Sequence, residues 1–207
     1  MTGNDINIQQ GFGDELRAAA AELYDAAFGA KLGVAIPDAA TRKKILARGF
    51  DPAHAIVAMI DGDIVGIAGF QTAQGALTGN ISIALLRRHL GLRGLTRALP
   101  VLALFERKHT AGELLMDGIG VSPAMRGKGV GTQLLKAVIA FAKAEGYSTV
   151  RLDVIDTNDN AKRLYERVGF EPVRTEQFGY LRWLLGFGAS TQMAYRITDT
   201  KEERTRP

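Results

Sequence analysis

The chain has no cysteine in its 207 residues. That absence removes disulfides, thiolate metal sites and cysteine nucleophiles together. Histidine is almost as scarce, and His54, His89 and His109 are too scattered to build a histidine-rich metal centre, so no metal is expected. No uninterrupted apolar run is long enough to cross a bilayer. Residues 1–10 also lack the basic-then-apolar order of a signal peptide. The resulting expectation is a cytoplasmic protein with no membrane partner.

What is present fits a globular chain. With 46% hydrophobic and 23% charged residues, a full core can be buried without crosslinks, and one domain over 1–207 is expected. Within it, 82–108 reads as a helical insertion and 200–207 as a flexible, solvated tail. The net charge of +4 suits an anionic partner, either a phosphate-bearing small molecule or a nucleic acid. The chain has no nucleic-acid recognition motif and no interleaving of basic with aromatic residues, so nucleic acid is not the expected partner.

Periodicity places the elements. A short strand is expected at 7–9, then helices at 14–28, ending near Gly29, and at 38–48. The apolar runs 54–60 and 64–70 flank Asp61-Gly62, the chemistry of a tight antiparallel hairpin. In 82–108, Gly91, Gly94 and Pro100 interrupt any single straight helix, and two helical pieces are expected. They serve as cover for the sheet, a homodimer contact or an acceptor-binding wall, with a membrane-surface helix supported by composition alone. Beyond them come a strand at 114–121, a helix at 129–145, a strand at 149–155, a helix at 158–168 closed by Gly169, and a last strand at 192–197. That order makes a parallel crossover in a mixed sheet, an α/β or α+β class.

Between the strand at 114–121 and the helix that follows stands Val121-Ser-Pro-Ala-Met-Arg126-Gly-Lys-Gly129-Val-Gly131-Thr132. Glycines let successive N–H groups converge, a helix start favours an anion, and Arg126 and Lys128 add positive charge. The spacing is not that of a P-loop, because six residues rather than four separate Gly120 from Gly127. Nor is it a dinucleotide fingerprint, because the third glycine position holds Leu134. The plainer reading is a strand–helix turn that needs glycine and displays solvated cations.

These residues resemble a known family. Arg126-x-x-Gly129-x-Gly131 is similar to the coenzyme A signature of the GNAT superfamily of N-acetyltransferases. Ile119-Gly-Val121-Ser-Pro123 resembles the end of that family's fourth strand. Leu152-x-Val154-x-x-x-Asn158-x-x-Ala161-x-x-Leu164-Tyr165-Glu166-x-x-Gly169-Phe170 resembles its second block, and the likeness is specific over 114–173. The resemblance implies a mixed, mostly antiparallel central sheet flanked by helices, with the fourth and fifth strands splayed around acetyl-coenzyme A as cosubstrate. It implies that backbone groups of Ile119 and Val121 run along the pantetheine arm. Arg126 and the amides of Gly127, Lys128, Gly129, Val130, Gly131 and Thr132 would hold the pyrophosphate. Asn158 would contact pantetheine or brace the next helix. The insertion at 82–108 and the long stretch 175–190 depart from the family pattern.

The same resemblance marks Tyr165 as general acid; on its own, Tyr165 also reads as a helix residue packing on the sheet. For the base, strict alternation puts Glu113 and Asp117 on one strand face with Leu115, Ile119 and Val121. Asp117, nearer the expected acetyl position, is the choice, although a bulge at Gly118 or Gly120 would change the phase. The expected activity is acetyl transfer to a primary amine of a small molecule or protein by direct attack in a ternary complex. The alternative is a non-catalytic acyl-coenzyme A sensor. The acceptor is not specified; the insertion and 178–187, with Tyr180, Arg182 and Trp183, shape either its cleft or a dimer surface.

Overall fold

A computed structural model describes residues 5–103, 110–179 and 182–198. Tyr180, the end of the expected insertion (104–108) and the expected tail (200–207) lie outside them. Seven strands form one sheet: β1 (Asn7–Gln10), β2 (Ala55–Ile60), β3 (Asp63–Gln71), β4 (Glu113–Val121), β5 (Thr149–Ile155), β6 (Glu171–Gln177) and β7 (Ala189–Arg196). Their spatial order is β1-β2-β3-β4-β5-β7-β6, parallel only between β4 and β5. The expected hairpin forms: Ile60 pairs with Asp63 across Asp61 (φ 50°) and Gly62 (φ 88°), so both turn residues adopt the positive φ of a primed turn.

The described helices are α1 (Arg17–Leu32), α2 (Ala39–Gly49), α3 (Ile83–Ala103), α4 (Val130–Ala144), α5 (Asp159–Val168) and the short α6 (Arg182–Leu185). Apolar residues of α4 at Val130, Leu134, Leu135, Val138 and Ala142 form one buried stripe. With Tyr165 of α5 they close one sheet face, against Phe70, Leu114, Met116, Leu152 and Met193. The other face is covered over β2 and β3 by α1 and α2, through Ala20, Leu23, Tyr24, Leu46 and Phe50. A third cluster joins Leu86, Leu95 and Ala98 of α3 to Ile45 and to Ala35 and Ile36 of the α1–α2 connection.

Several expectations need correction. Residues Asp14–Leu16 form a 3-10 turn before α1. Gly29 does not end α1: its carbonyl accepts from Gly33, and its lack of a side chain lets Arg42 and Asp25 meet beside it. The two helical pieces expected in the insertion are found, but among its described residues the break is at Gly91 alone (φ 65°, ψ −178°), while Gly94 and Pro100 lie inside the helix. The long connection before the last strand contains β6, an edge strand exposed along its whole length.

Arg42, only 8% exposed, locks α2 to α1. Its guanidinium forms an ion pair with Asp25 (Nη2 to Oδ2 2.9 Å) and donates to the carbonyls of Ile36 (2.8 Å) and Pro37 (3.3 Å). Removing one member strands the other charge in a dry site. Asp25→Ala is therefore expected to cost about 3–5 kcal/mol in chemical denaturation. Asp25→Ala/Arg42→Met should recover part of that loss.

Candidate active site

The site begins with an irregularity in β4. Opposite β3, Gly118 pairs with Gly69 and Met116 with Phe70, so Asp117 is an extra residue in a bulge. Gly118 adopts φ +138°, and a Cβ there would lie 2.8 Å from the Phe28 ring of α1. Both the dihedral and the crowding call for glycine. The bulge reverses the phase of the strand. Leu114, Met116, Ile119 and Val121 pack with the α4 cluster. Asp117 instead lies on the α1 side, where a Cβ on Gly69 would meet its Oδ2 at 2.9 Å. Strict alternation had grouped Asp117 with Ile119 and Val121; the extra residue separates them.

The parallel ladder between β4 and β5 covers only Glu113–Leu115 against Thr149–Arg151, and the strands then diverge. This is the splay that the family resemblance implied. Ser122 N–H donates to Val65 of β3 at 2.9 Å, so by alternation the amides and carbonyls of Ile119 and Val121 turn toward the gap. Val121 O accepts from Arg126 Nε at 3.2 Å. The divergence opens a cleft of about 760 Å³. Its walls are Ile119 and Val121, the loop from Met125 to Thr132 apart from Lys128, Ala26 and Ala27 of α1, and one side of α5 with its cap Asn158.

In the loop, a 3-10 turn at Pro123–Met125 leads into Arg126 and then Gly127 (φ +76°) and Gly129 (φ +83°), the N-cap of α4. The first i→i−4 bond of α4 runs from Gln133 N–H to Gly129 O at 3.1 Å. The amides of Val130, Gly131 and Thr132 therefore belong to the unpaired first turn, where the helix dipole is positive. A Cβ on Gly127 or Gly129 would meet nothing within 4 Å, so the loop is an open cradle bounded by backbone. Amide donors with Arg126 at their edge suit the pyrophosphate of coenzyme A. Two further guanidiniums, Arg163 and Arg167, line the same cleft one helical turn apart. Sequence reading missed them, and their i, i+4 spacing on the helix after Asn158 was the available signal.

Helix α5 is fixed at both ends. Asn158 Oδ1 accepts from Ala161 N–H at 3.2 Å, the bracing role, and it also borders the cleft. At the far end Gly169 (φ +106°) donates to Glu166 O at 3.0 Å and Phe170 donates to Tyr165 O at 3.0 Å. Tyr165 is 5% exposed and borders the cleft with its phenol at β4, where a Cβ on Gly118 would lie 3.9 Å from its hydroxyl. Burial pushes its pKa up to about 12, opposed by a backbone hydrogen bond with Ile119. The phenol thus stays neutral and able to donate across the working pH range.

Glu113 and other acidic and histidine side chains are held by partners of their own. Glu113 forms an ion pair with Arg151 (3.1 Å) where β4 and β5 are still paired. Asp156 accepts from Gly188 N–H at 3.2 Å. His54 contacts Asp51 (2.9 Å) and Thr72 (3.3 Å), and His89 contacts Arg48 (2.8 Å). Among the described residues, no three acidic or histidine side chains converge as a metal site.

A splayed β4/β5 fork above a helix-capping glycine loop defines a class, the acetyltransferase folds. Residues 17–170 match the model of the acetyltransferase (GNAT) family, and the chain belongs to that family. It is 34% identical over 87 residues to a thialysine N-epsilon-acetyltransferase of Mus musculus, covering 42% of this chain and 51% of that protein. It is 44% identical over 55 residues to the N-alpha-acetyltransferase RimI of Mycobacterium tuberculosis, covering 27% and 33%. These matches span about half or less of each relative. Among solved structures, the ribosomal-protein-S18-alanine N-acetyltransferase of Escherichia coli superposes with a TM-score of 0.58 at 17% identity, covering 98% of this chain and all of that one. Salmonella typhimurium yncA, solved with its cofactor acetyl-CoA, gives 0.55 at 18% identity, with 95% and 96% covered. At these identities the likeness is one of fold.

The raised phenol pKa has a stability consequence. Between pH 10 and 12 the unfolded chain has lost the Tyr165 proton while the folded chain retains it, so this contribution is full below pH 10 and is lost as pH rises toward 12. In urea denaturation the advantage of wild type over Tyr165→Phe should fall by about 3 kcal/mol across that window.

Proposed function

We propose that this chain is an acetyl-CoA-dependent N-acetyltransferase that moves acetyl to a primary amine by direct attack in a ternary complex. One observation carries the reading: a buried, neutral phenol reaches the point where β4 diverges from β5, in the cleft that also contains the amide cradle of α4.

Bound acetyl-CoA supplies an activated thioester: the amine nitrogen bonds to its carbonyl carbon, the carbon–sulfur bond breaks, and sulfur leaves as thiolate. The amides of Gly127 and of 129–132 with the side chain of Arg126 hold the pyrophosphate, whereas the Lys128 amide donates to Met125 O and its residue lies off the cleft; Arg163 and Arg167 add charge for the remaining phosphate. Ile119 and Val121 offer strand-edge amides and carbonyls to the pantetheine arm. Tyr165 serves as general acid, chiefly as a hydrogen-bond donor to the departing sulfur. A phenol near 12 against a thiol of about 8.5 makes complete proton transfer uphill by about 5 kcal/mol. Stabilising the thiolate through a shared proton needs no such transfer.

Asp117 is the base on this reading. It stands on the opposite sheet face from α4, one residue from Gly118, with Oδ2 buried beside Gly69 and outside the cleft walls, so the amine proton would reach it through water rather than by direct contact. Acceptors named for the relatives, thialysine and a ribosomal-protein alanine, are both amines, which supports an amine here.

Thiol release across an amine panel tests the activity; coenzyme A binding without turnover would identify a sensor instead. Tyr165→Phe is expected to lower kcat about a hundredfold while coenzyme A affinity stays within about threefold. Turnover at the wild-type level would remove Tyr165 from the chemistry. Gly129→Asp places a carboxylate in the cradle and should abolish coenzyme A binding in calorimetry; full binding would rule out the loop as the anion site.

A further inference from the structure

Helix α3 has an outer face that its packing does not explain. Its buried residues Leu86, Leu95 and Ala98 are satisfied against Ala35, Ile36 and Ile45. An ordinary surface helix would then present a polar exterior. Instead Ile83, Leu92 and Leu99 remain 63%, 70% and 38% exposed, interleaved with exposed Arg87, Arg88, Arg93 and Arg97.

The charge here has one sign. No residue from 64 to 105 is acidic. The cations continue onto α2, where Arg48 Nη1 lies 2.8 Å from His89 Nε2. Partial burial, then the positive charges of Arg48, Arg88 and Lys44, hold His89 below its ordinary pKa. Within α3 the only break is Gly91, which divides the helix into two segments, each with exposed apolar and arginine side chains.

We infer that the outer face of α3, extended by Lys44 and Arg48 of α2, docks on an anionic phospholipid bilayer. Arginines with apolar residues between them match the interface of a bilayer, where headgroup phosphates take the guanidiniums and the acyl boundary takes Ile83, Leu92 and Leu99. A nucleic acid would engage the same arginines but gives the three apolar side chains nothing to bury in. The contact is peripheral, since among the described residues no helix is long and apolar enough to cross a membrane. It departs from the expectation of no membrane partner, under which a membrane-surface helix at 82–108 had composition alone behind it; the exposure of Ile83, Leu92 and Leu99 among arginines is the added observation. It is also independent of the proposed reaction.

The test is flotation of the full chain with vesicles of phosphatidylcholine alone or mixed with phosphatidylglycerol, alongside gel shift with a short RNA duplex. Wild type should float only with the anionic vesicles and be released by salt. Arg87→Gln/Arg88→Gln/Arg93→Gln/Arg97→Gln should lower partitioning at least about tenfold. Ile83→Ser/Leu92→Ser/Leu99→Ser should also lower it at least about tenfold with every arginine in place. Circular dichroism melts verify folding, and Leu92→Ser alone, at the most exposed of the three sites, replaces the triple variant if that one melts. Failure to float, equal flotation with neutral vesicles, or full binding by the serine variants would overturn the inference. So would RNA binding that is tighter than vesicle binding and indifferent to Leu92.

Discussion

The site depends on a one-residue mismatch between β3 and β4. Inserting Asp117 opposite the step from Gly69 to Phe70 reverses the phase of the strand and increases its local twist. Pairing with β5 stops at Leu115, just before that point. Three consequences follow from the same backbone event. The edges of Ile119 and Val121 become available, Tyr165 reaches β4 through the opening, and α1 crosses closely enough for Phe28 to lie against Gly118. A regular strand would keep the ladder to β5 closed and exclude all three.

Helix α4 ties this opening to the rest of the molecule. Its first turn forms the cradle, and its buried stripe from Val130 to Ala142 is a large part of the core beneath the sheet. The amides that face the cleft are therefore anchored by some of the best-packed residues in the chain. Such an anchor suits electrostatic work, because donors that are already oriented need little reorganisation when an anion arrives. Arg126, reaching back to Val121 O, and the Arg163–Arg167 pair add charge at a border that stays accessible to solvent.

What sequence alone revealed was what local chemistry encodes. The Asp61-Gly62 hairpin, the glycine loop before α4, the Asn158 cap and the Gly169 stop each depend on residues close in the chain, and each was legible there. The strand β6 was not. A half-buried strand shows itself by alternation, and Glu171–Gln177 buries neither face, so no alternation exists to read. Gly29 misled because glycine near a helix end usually marks a stop, whereas here it makes room for an ion pair between two helices. The bulge had its glycine in plain view, but which residue became the extra one depended on register with β3. The convergence of Arg163 and Arg167 on the loop needed the tertiary arrangement of α5, and the exposed apolar residues of α3 could be told from its buried ones only once its packing was known.

Helix α5 is only ten residues long, and Tyr165 is its one fully buried side chain. Ala161, Leu164 and Val168 pack partly buried against the core beside it, while Asn158 and Gly169 set where the helix starts and stops. The phenol is thus positioned like the tip of a lever held at both pivots. Damage at either pivot would tilt the lever and move the phenol without touching it, so the sequence tolerance of positions 158 and 169 should track that of 165.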